Sequence, residues 1–203
     1  MIRVLGIAGS PRRHGNTETL LDEFLAGARQ AGGVTEKVVV VQLEIVGCRN
    51  CDGCWQDGQC IVADDFQAVR QQILAADVIA LAAPLFFWNL PAQTKALIDR
   101  SQCQWAWRFV LKRPLTPTPA GHLRRRGVFL CVGGDPRRRF VGAIQTVRDF
   151  FGVYGVGYWA DLLYTGLDAR DDAAGRPDVL QAAFALGERA VTAPWDHQGE
   201  GGT

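Results

Sequence analysis

Apolar positions follow two rhythms that take turns along this chain. Ile2 to Ala8 is a short apolar run stopped by Gly9, and Leu20, Leu21, Phe24, Leu25 and Ala28 then recur on one helical face, which predicts a strand followed by a helix. Lys37 to Leu43 (KVVVVQL) reads as a β-branched strand. Asp64 and Asp65 offer N-caps to a helix whose Phe66, Val69, Ile73 and Ala76 return at intervals of three and four. Val78 to Ala83 (VIALAA) has no polar member, as in a parallel strand covered on both faces. Pro84 to Pro91 (PLFFWNLP) stops it, and a helix carrying Ala96, Leu97 and Ile98 follows. Gly127 to Val132 predicts a fourth strand ending at Gly133 and Gly134. A helix from about Phe140 to Phe151, a strand near Gly157 to Leu163 and a final helix from Pro177 to Val191 complete five strand-helix pairs.

Strict alternation of strand and helix predicts an α/β doubly wound five-stranded parallel sheet, with ligands outside the carboxyl ends of the strands. The loops after strands one, three and four therefore matter most. With 203 residues, 48% of them hydrophobic, the chain suits one domain, placed at 1–196, and the glycine-rich end at 197–203 is expected to be disordered. A net charge of +1 from 22 basic and 21 acidic residues argues against nucleic acid or membrane as the main partner. The triplets Arg124 to Arg126 and Arg137 to Arg139 are local exceptions. No apolar run approaches the roughly 18 residues of a membrane span. The N-terminus reads as a strand entering a glycine turn, unlike a secretory signal, so a cytoplasmic location is expected. In that reducing setting six cysteines point to metal or redox chemistry before structural disulfides.

Four of those cysteines, Cys48, Cys51, Cys54 and Cys60, occupy thirteen residues with the spacing C-x2-C-x2-C-x5-C. The first three steps match those by which a ferredoxin run places thiolates around a cubane cluster, although Ile61, and not proline, follows the last cysteine. Zinc usually takes two knuckles with a longer spacer, and no His lies in the loop. Spacing leaves open an iron-sulfur cluster, zinc or a redox disulfide, and thiols that only pack as small hydrophobes. Cys103 and Cys131 fall in helical and strand contexts and are expected to be buried.

The loop after strand one, GSPRRHGNTET from Gly9 to Thr19, gathers a serine, two arginines, a turn glycine and a helix start at Asn16 and Thr17. Hydroxyls, backbone N–H groups and the helix dipole can all address one anion there. It lacks both the Walker Gly-Lys-Ser/Thr and the G-x-G-x-x-G of dinucleotide sites. Hydroxyls wrap a terminal phosphate better than a diphosphate, so FMN fits better than NAD; the alternative is an ordinary capped turn with exposed arginines.

Together GSPRRHGNT, the cysteine loop running into Asp64-Asp65, APLFFWNLPAQTKALIDR from Ala83 to Arg100 and VGGDP from Val132 to Pro136 resemble the flavodoxin-like NAD(P)H-dependent FMN reductase family, and within it the iron-sulfur flavoproteins. The resemblance implies that Ser10, Arg12, Asn16 and Thr17 hold the FMN phosphate. It places Pro84, Leu85, Phe86, Phe87, Trp88 and Asn89 along the ribityl chain and isoalloxazine ring, and Gly133, Gly134 and Asp135 on the other side. Where the family often has a tyrosine after strand three, this chain has Phe86 and Phe87. Those aromatics have a second reading as core or dimer contacts, and Trp105, Trp107 and Arg108 suit a subunit interface. The helix residues Lys95, Asp99 and Arg100 read as structural.

The leading function is an FMN-dependent oxidoreductase passing electrons among NAD(P)H or a reduced carrier, FMN, a [4Fe-4S] cluster on Cys48, Cys51, Cys54 and Cys60, and an acceptor, in a homodimer or homotetramer. The alternatives are a non-enzymatic FMN electron carrier and a zinc-stabilised flavodoxin-like binding module. No side chain is singled out as an acid or base.

Overall fold

β1 (Arg3–Ala8), β2 (Val34–Val39), β3 (Val78–Pro84), β4 (Arg125–Gly133) and β5 (Val156–Thr165) form one parallel sheet in the order β2-β1-β3-β4-β5. These strands belong to a computed structural model that describes residues 1–122, 124–137 and 139–195, so the tail expected to be disordered lies outside the described residues. The strand order is the flavodoxin-like one, with its switch point between β1 and β3.

Side-chain alternation divides the interior in two. Ile79 and Leu81 of β3 and Phe129 and Cys131 of β4 face α2 (Phe66–Ala75), α3 (Ala92–Arg100) and α5 (Val141–Val153). Val78, Ala80, Ala82, Val128 and Leu130 face α1 (Asn16–Gln30) and α6 (Pro177–Thr192). Burial on both sides explains why β3 has no polar member. The α1–α6 contact is set by glycine: a Cβ at Gly27 would lie 2.0 Å from the Phe184 carbonyl oxygen, and one at Gly187 would lie 1.9 Å from that of Phe24. Only hydrogen fits between these backbones.

The second strand departs from the sequence expectation of Lys37 to Leu43. β2 spans Val34–Val39, in register with β1 from Arg3–Val34 to Ala8–Val39, and Val40–Gln42 form a 3-10 turn. β2 is an edge strand paired with β1, which ends at Ala8, so the remaining valines, Val40 and Val41, have no ladder to join and Val40 is buried in the core instead.

The basic triplet before β4 is used inside the fold. Arg125 donates to the carbonyls of Ile73, Leu74 and Ala76 at the end of α2 and to that of Tyr154 after α5. Arg126 donates to those of Ala190, Ala193 and Pro194 at the end of α6, with its guanidinium 3.9 Å over the Trp195 ring. Two buried cations thus satisfy orphan carbonyls at three helix C-termini. Burial still lowers the pKa of Arg125 to about 10.

After α3 the chain continues as α4 (Gln102–Trp105) and a π-helical turn, Ala106–Val110, which the periodicity did not reveal. Among the described residues no helix is long and apolar enough to cross a membrane.

Candidate functional site

The N-terminus of α1 points out at the carboxyl end of β1, and no side chain caps it. Its first helical hydrogen bond within the loop is from Thr19 N–H to the Gly15 carbonyl, 3.0 Å. The preceding N–H groups of the first turn therefore stay available, as helix N-termini require of an anion site. Ser10 and Thr17 are buried beside them; the Ser10 hydroxyl accepts from Arg12 N–H at 3.1 Å. Gly9 keeps the loop low over the sheet. A Cβ there would lie 2.4 Å from Thr94 Oγ1, whose hydroxyl donates to the Gly9 carbonyl.

Asn16 is placed differently from Ser10 and Thr17. Its amide donates to the carbonyls of Leu167 (3.3 Å) and Ala169 (2.7 Å), and its Oδ1 accepts from Ala173 N–H at 2.9 Å. It staples the β5–α6 loop against the start of α1. Arg12 reaches the same loop, 3.5 Å from the Asp168 carbonyl. Glu18, which the sequence did not single out, is 2% exposed and accepts from Arg13, from the His14 backbone (2.6 Å) and from Lys37 (3.1 Å). Burial alone would raise its pKa, but these donors outweigh burial and hold it at about 2. Arg13 is thereby neutralised, and His14 is held in a left-handed conformation at φ 54°.

The loop after β3 forms a tight antiparallel tip in which Phe86 and Asn89 exchange two backbone hydrogen bonds of 2.8 Å. Phe87 (φ 46°) and Trp88 (φ 67°) both occupy the left-handed region, where bulky residues are genuine outliers. Phe87 is 97% exposed, and Phe86 and Trp88 about half, so this aromatic tip is surface and not core. Leu85 N–H donates to the Val132 carbonyl, and Asn89 Oδ1 accepts from Leu90 N–H and from the Thr146 hydroxyl. Pro84 ends β3. Across the switch point, Gly133 closes β4 and Gly134 lets Asp168 approach: a Cβ there would lie 2.5 Å from the Asp168 carboxylate. Asp135 accepts from Arg137 N–H at 2.9 Å. The loops named from sequence after β1, β3 and β4 do converge, and the β5–α6 loop joins them through contacts more than 150 residues apart in the chain that no local pattern encodes.

The cysteine loop lies beyond β2. Cys48, Cys51, Cys54 and Cys60 are free thiols lining one small pocket with Cys103 and Arg100. Cys48 and Cys51 are exposed, while Cys54 and Cys60 are half-buried. Burial first, and then the neighbouring sulfurs, raise the Cys54 pKa. Among the described residues no three His, Cys, Asp or Glu side chains are gathered closely enough to hold a metal ion. Four thiols on one loop are a donor set that fits a soft metal centre, and between them Asn50 (φ 51°) and Asp52 (φ 54°) are left-handed. Cys103 and Cys131 are buried, as expected, and burial pushes the Cys103 thiol up to about 11.

Arg100 and Asp64 organise this loop. Arg100, read from sequence as structural, is fully buried and donates to the Val46 carbonyl (2.8 Å), the Val62 carbonyl (3.0 Å) and Asp64 Oδ2 (2.6 Å). Asp64, not Asp65, accepts from the first helical N–H of α2, at Phe66 (3.1 Å); Asp65 instead accepts from Glu44 N–H. Trp107, assigned from sequence to an interface, packs on the loop of its own chain, where a Cβ at Gly58 would meet its ring at 2.7 Å.

An uncapped helix start at the switch point of a 2-1-3-4-5 parallel sheet defines a flavodoxin-like protein. Residues 2–156 match the NADPH-dependent FMN reductase family, and the chain belongs to it. The chain is 30% identical over 189 residues to an iron-sulfur flavoprotein of Methanosarcina thermophila, covering 91% of this chain and 93% of that protein. It is 23% identical to a putative NAD(P)H-dependent FMN-containing oxidoreductase of Bacillus subtilis, over 81% of this chain and 86% of the other. Among solved structures, an NAD(P)H:quinone oxidoreductase from Methanothermobacter marburgensis superposes with a TM-score of 0.66 at 20% identity, covering 93% of this chain and 96% of that one. The fold class expected from the sequence is the one observed, and the protein is an oxidoreductase of this NAD(P)H-dependent flavin family.

Proposed function

We propose that this oxidoreductase binds FMN at the β1–β3 switch point and a [4Fe-4S] cluster on Cys48, Cys51, Cys54 and Cys60, and passes electrons from NAD(P)H or a reduced carrier to an acceptor. The observation that carries the reading is the uncapped start of α1 with Ser10 and Thr17 buried beside it. FMN supplies two-electron acceptance and one-electron delivery, and the cluster stores single electrons.

The chain's own part is binding and shielding. Ser10 and Thr17 hydroxyls and the first N–H groups of α1 hold the terminal phosphate, with Arg12 adding charge from the rim. Asn16 keeps the β5–α6 loop in place. Pro84, Leu85 and Asn89 border the ribityl chain, while Phe86, Phe87 and Trp88 wall the ring with apolar surface. Gly133, Gly134 and Asp135 close the opposite side, where a missing Cβ allows backbone approach.

Exposed Phe86, Phe87, Trp88 and Phe109 support a homodimer or homotetramer in which this surface is covered. Six free cysteines support a reducing, cytoplasmic setting. The test is an absorbance spectrum with iron, sulfide and zinc analysis on anaerobically prepared protein, followed by addition of NADH or NADPH. Flavin bands that bleach, with about four irons per chain, are the expected result. Flavin without iron removes the cluster, zinc in its place favours the binding-module reading, and a flavin that neither nucleotide bleaches favours the electron carrier.

A further inference from the structure

Two buried arginines stand behind the cysteine pocket, and among the described residues one carboxylate is bonded to the pair. Arg100 has one, Asp64, and spends three contacts on the backbone at Val46 and Val62 and on that carboxylate. Val46 and Val62 lie just outside Cys48 and Cys60, so a single guanidinium clamps both ends of the loop. Its Nε is buried with no hydrogen-bond partner, and the Cys60 sulfur lies within reach of the group. Arg70 is 5% exposed and donates to neutral amides, Gln59 at 2.9 Å and Gln104 at 3.0 Å, and its Nε is buried with no partner among the described residues. Gln59 adjoins Cys60 and Gln104 adjoins Cys103, which ties Arg70 to the same cavity.

A buried cation without a counter-ion is costly, and native proteins pair or coordinate such charges. Among the described residues Asp64 is the carboxylate bonded to this pair, which leaves one positive charge unmatched. The anions that can match it are thiolates. Four thiolates around a [4Fe-4S] core sum to a negative centre, and such a centre becomes more negative on reduction. Cations and N–H donors nearby therefore favour the reduced form, since net charge and hydrogen bonds to the sulfurs set the potential.

We propose that Arg70 and Arg100 are positioning residues of the cysteine centre. Arg100 clamps the loop ends and presents its Nε–H to the Cys60 sulfur, and both guanidinium charges raise the centre's reduction potential. The proposal rests on the cluster reading above.

The test compares wild type, Arg70→Gln, Arg100→Lys and Asp64→Asn as full-length protein, reconstituted anaerobically with iron and sulfide. Iron per chain, FMN absorbance and the midpoint potential followed by electron paramagnetic resonance are read for each. FMN retention reports that the domain is folded, because the flavin site uses other residues. Expected results are full iron with a more negative midpoint in Arg70→Gln, faster iron loss with a midpoint near wild type in Arg100→Lys, and a more positive midpoint in Asp64→Asn. Unchanged midpoints in both Arg70→Gln and Asp64→Asn, with iron bound, would overturn the charge role. Unchanged iron retention in Arg100→Lys would overturn the clamp. Wild type that binds no iron fails the cluster reading itself and takes this proposal with it.

Discussion

The β1–α1 loop and the cysteine loop both gather groups able to bind a ligand, and the fold fixes the first more completely than the second. The anion cradle consists of backbone N–H groups at a helix start, two buried hydroxyls and a glycine held against Thr94, and all of these are fixed by the sheet and helix that make up the fold. The cysteine loop is anchored at both ends by Arg100, but its thiols range from half-buried to exposed around one pocket. Backbone donors are positioned by hydrogen bonds that the protein makes anyway, whereas thiolates crowded together repel and need a metal to offset that repulsion. One loop is set along its length by the fold, and the other is held at its two ends.

The comparison breaks most sharply at Cys51. Cys51→Ala should abolish stoichiometric iron on anaerobic reconstitution while leaving FMN content unchanged, as measured by iron analysis beside the flavin spectrum. Loss of both would mean that the two sites are not separate.

Glu18→Gln probes how firmly the cradle is set. A carboxyl held at about 2 in the fold, against an ordinary 4.5, contributes stability present above about pH 4.5 and lost as pH falls through about 2. That contribution is on the order of 3 kcal/mol. Denaturation at pH 7 should show the variant less stable by a similar amount, with the difference from wild type shrinking toward pH 2. An equal gap at both ends of that range would deny the carboxylate this part.

Ser10→Ala combined with Thr17→Ala should weaken FMN by roughly 1 to 3 kcal/mol, the scale of hydrogen bonds to a charged group, with iron binding untouched. Equilibrium titration of the apoprotein with FMN measures it. Unchanged affinity would move the phosphate elsewhere. The smallest effect is expected from Thr94→Val, which removes the hydroxyl donated to the Gly9 carbonyl and should cost about 1 kcal/mol of stability in a denaturant titration.

Much of this molecule was legible in the chain. Alternation of apolar runs and helical faces located all five strands, and the composition of Gly9 to Thr19 marked the start of α1, because strand burial and helix starts leave local patterns. The reading overshot where β2 stops, since KVVVVQL has strand propensity throughout and only the length of β1 ends the ladder at Val39. No local pattern singled out Glu18, whose buried carboxylate is matched by Arg13 and by Lys37 from β2.

The amino-acid sequence by itself determined the flavodoxin-like class, the loop that opens α1 and the presence of four clustered thiols. Tertiary structure alone decided what the charges do: Arg125 and Arg126 close helix ends, Asn16 staples a loop from the far end of the chain, and Arg70 and Arg100 stand behind the cysteines. The physical reason is one of range. Hydrophobic periodicity is a property of neighbours along the chain, while the partner of a buried charge is whichever group the fold brings within about 3 Å, at any distance in sequence.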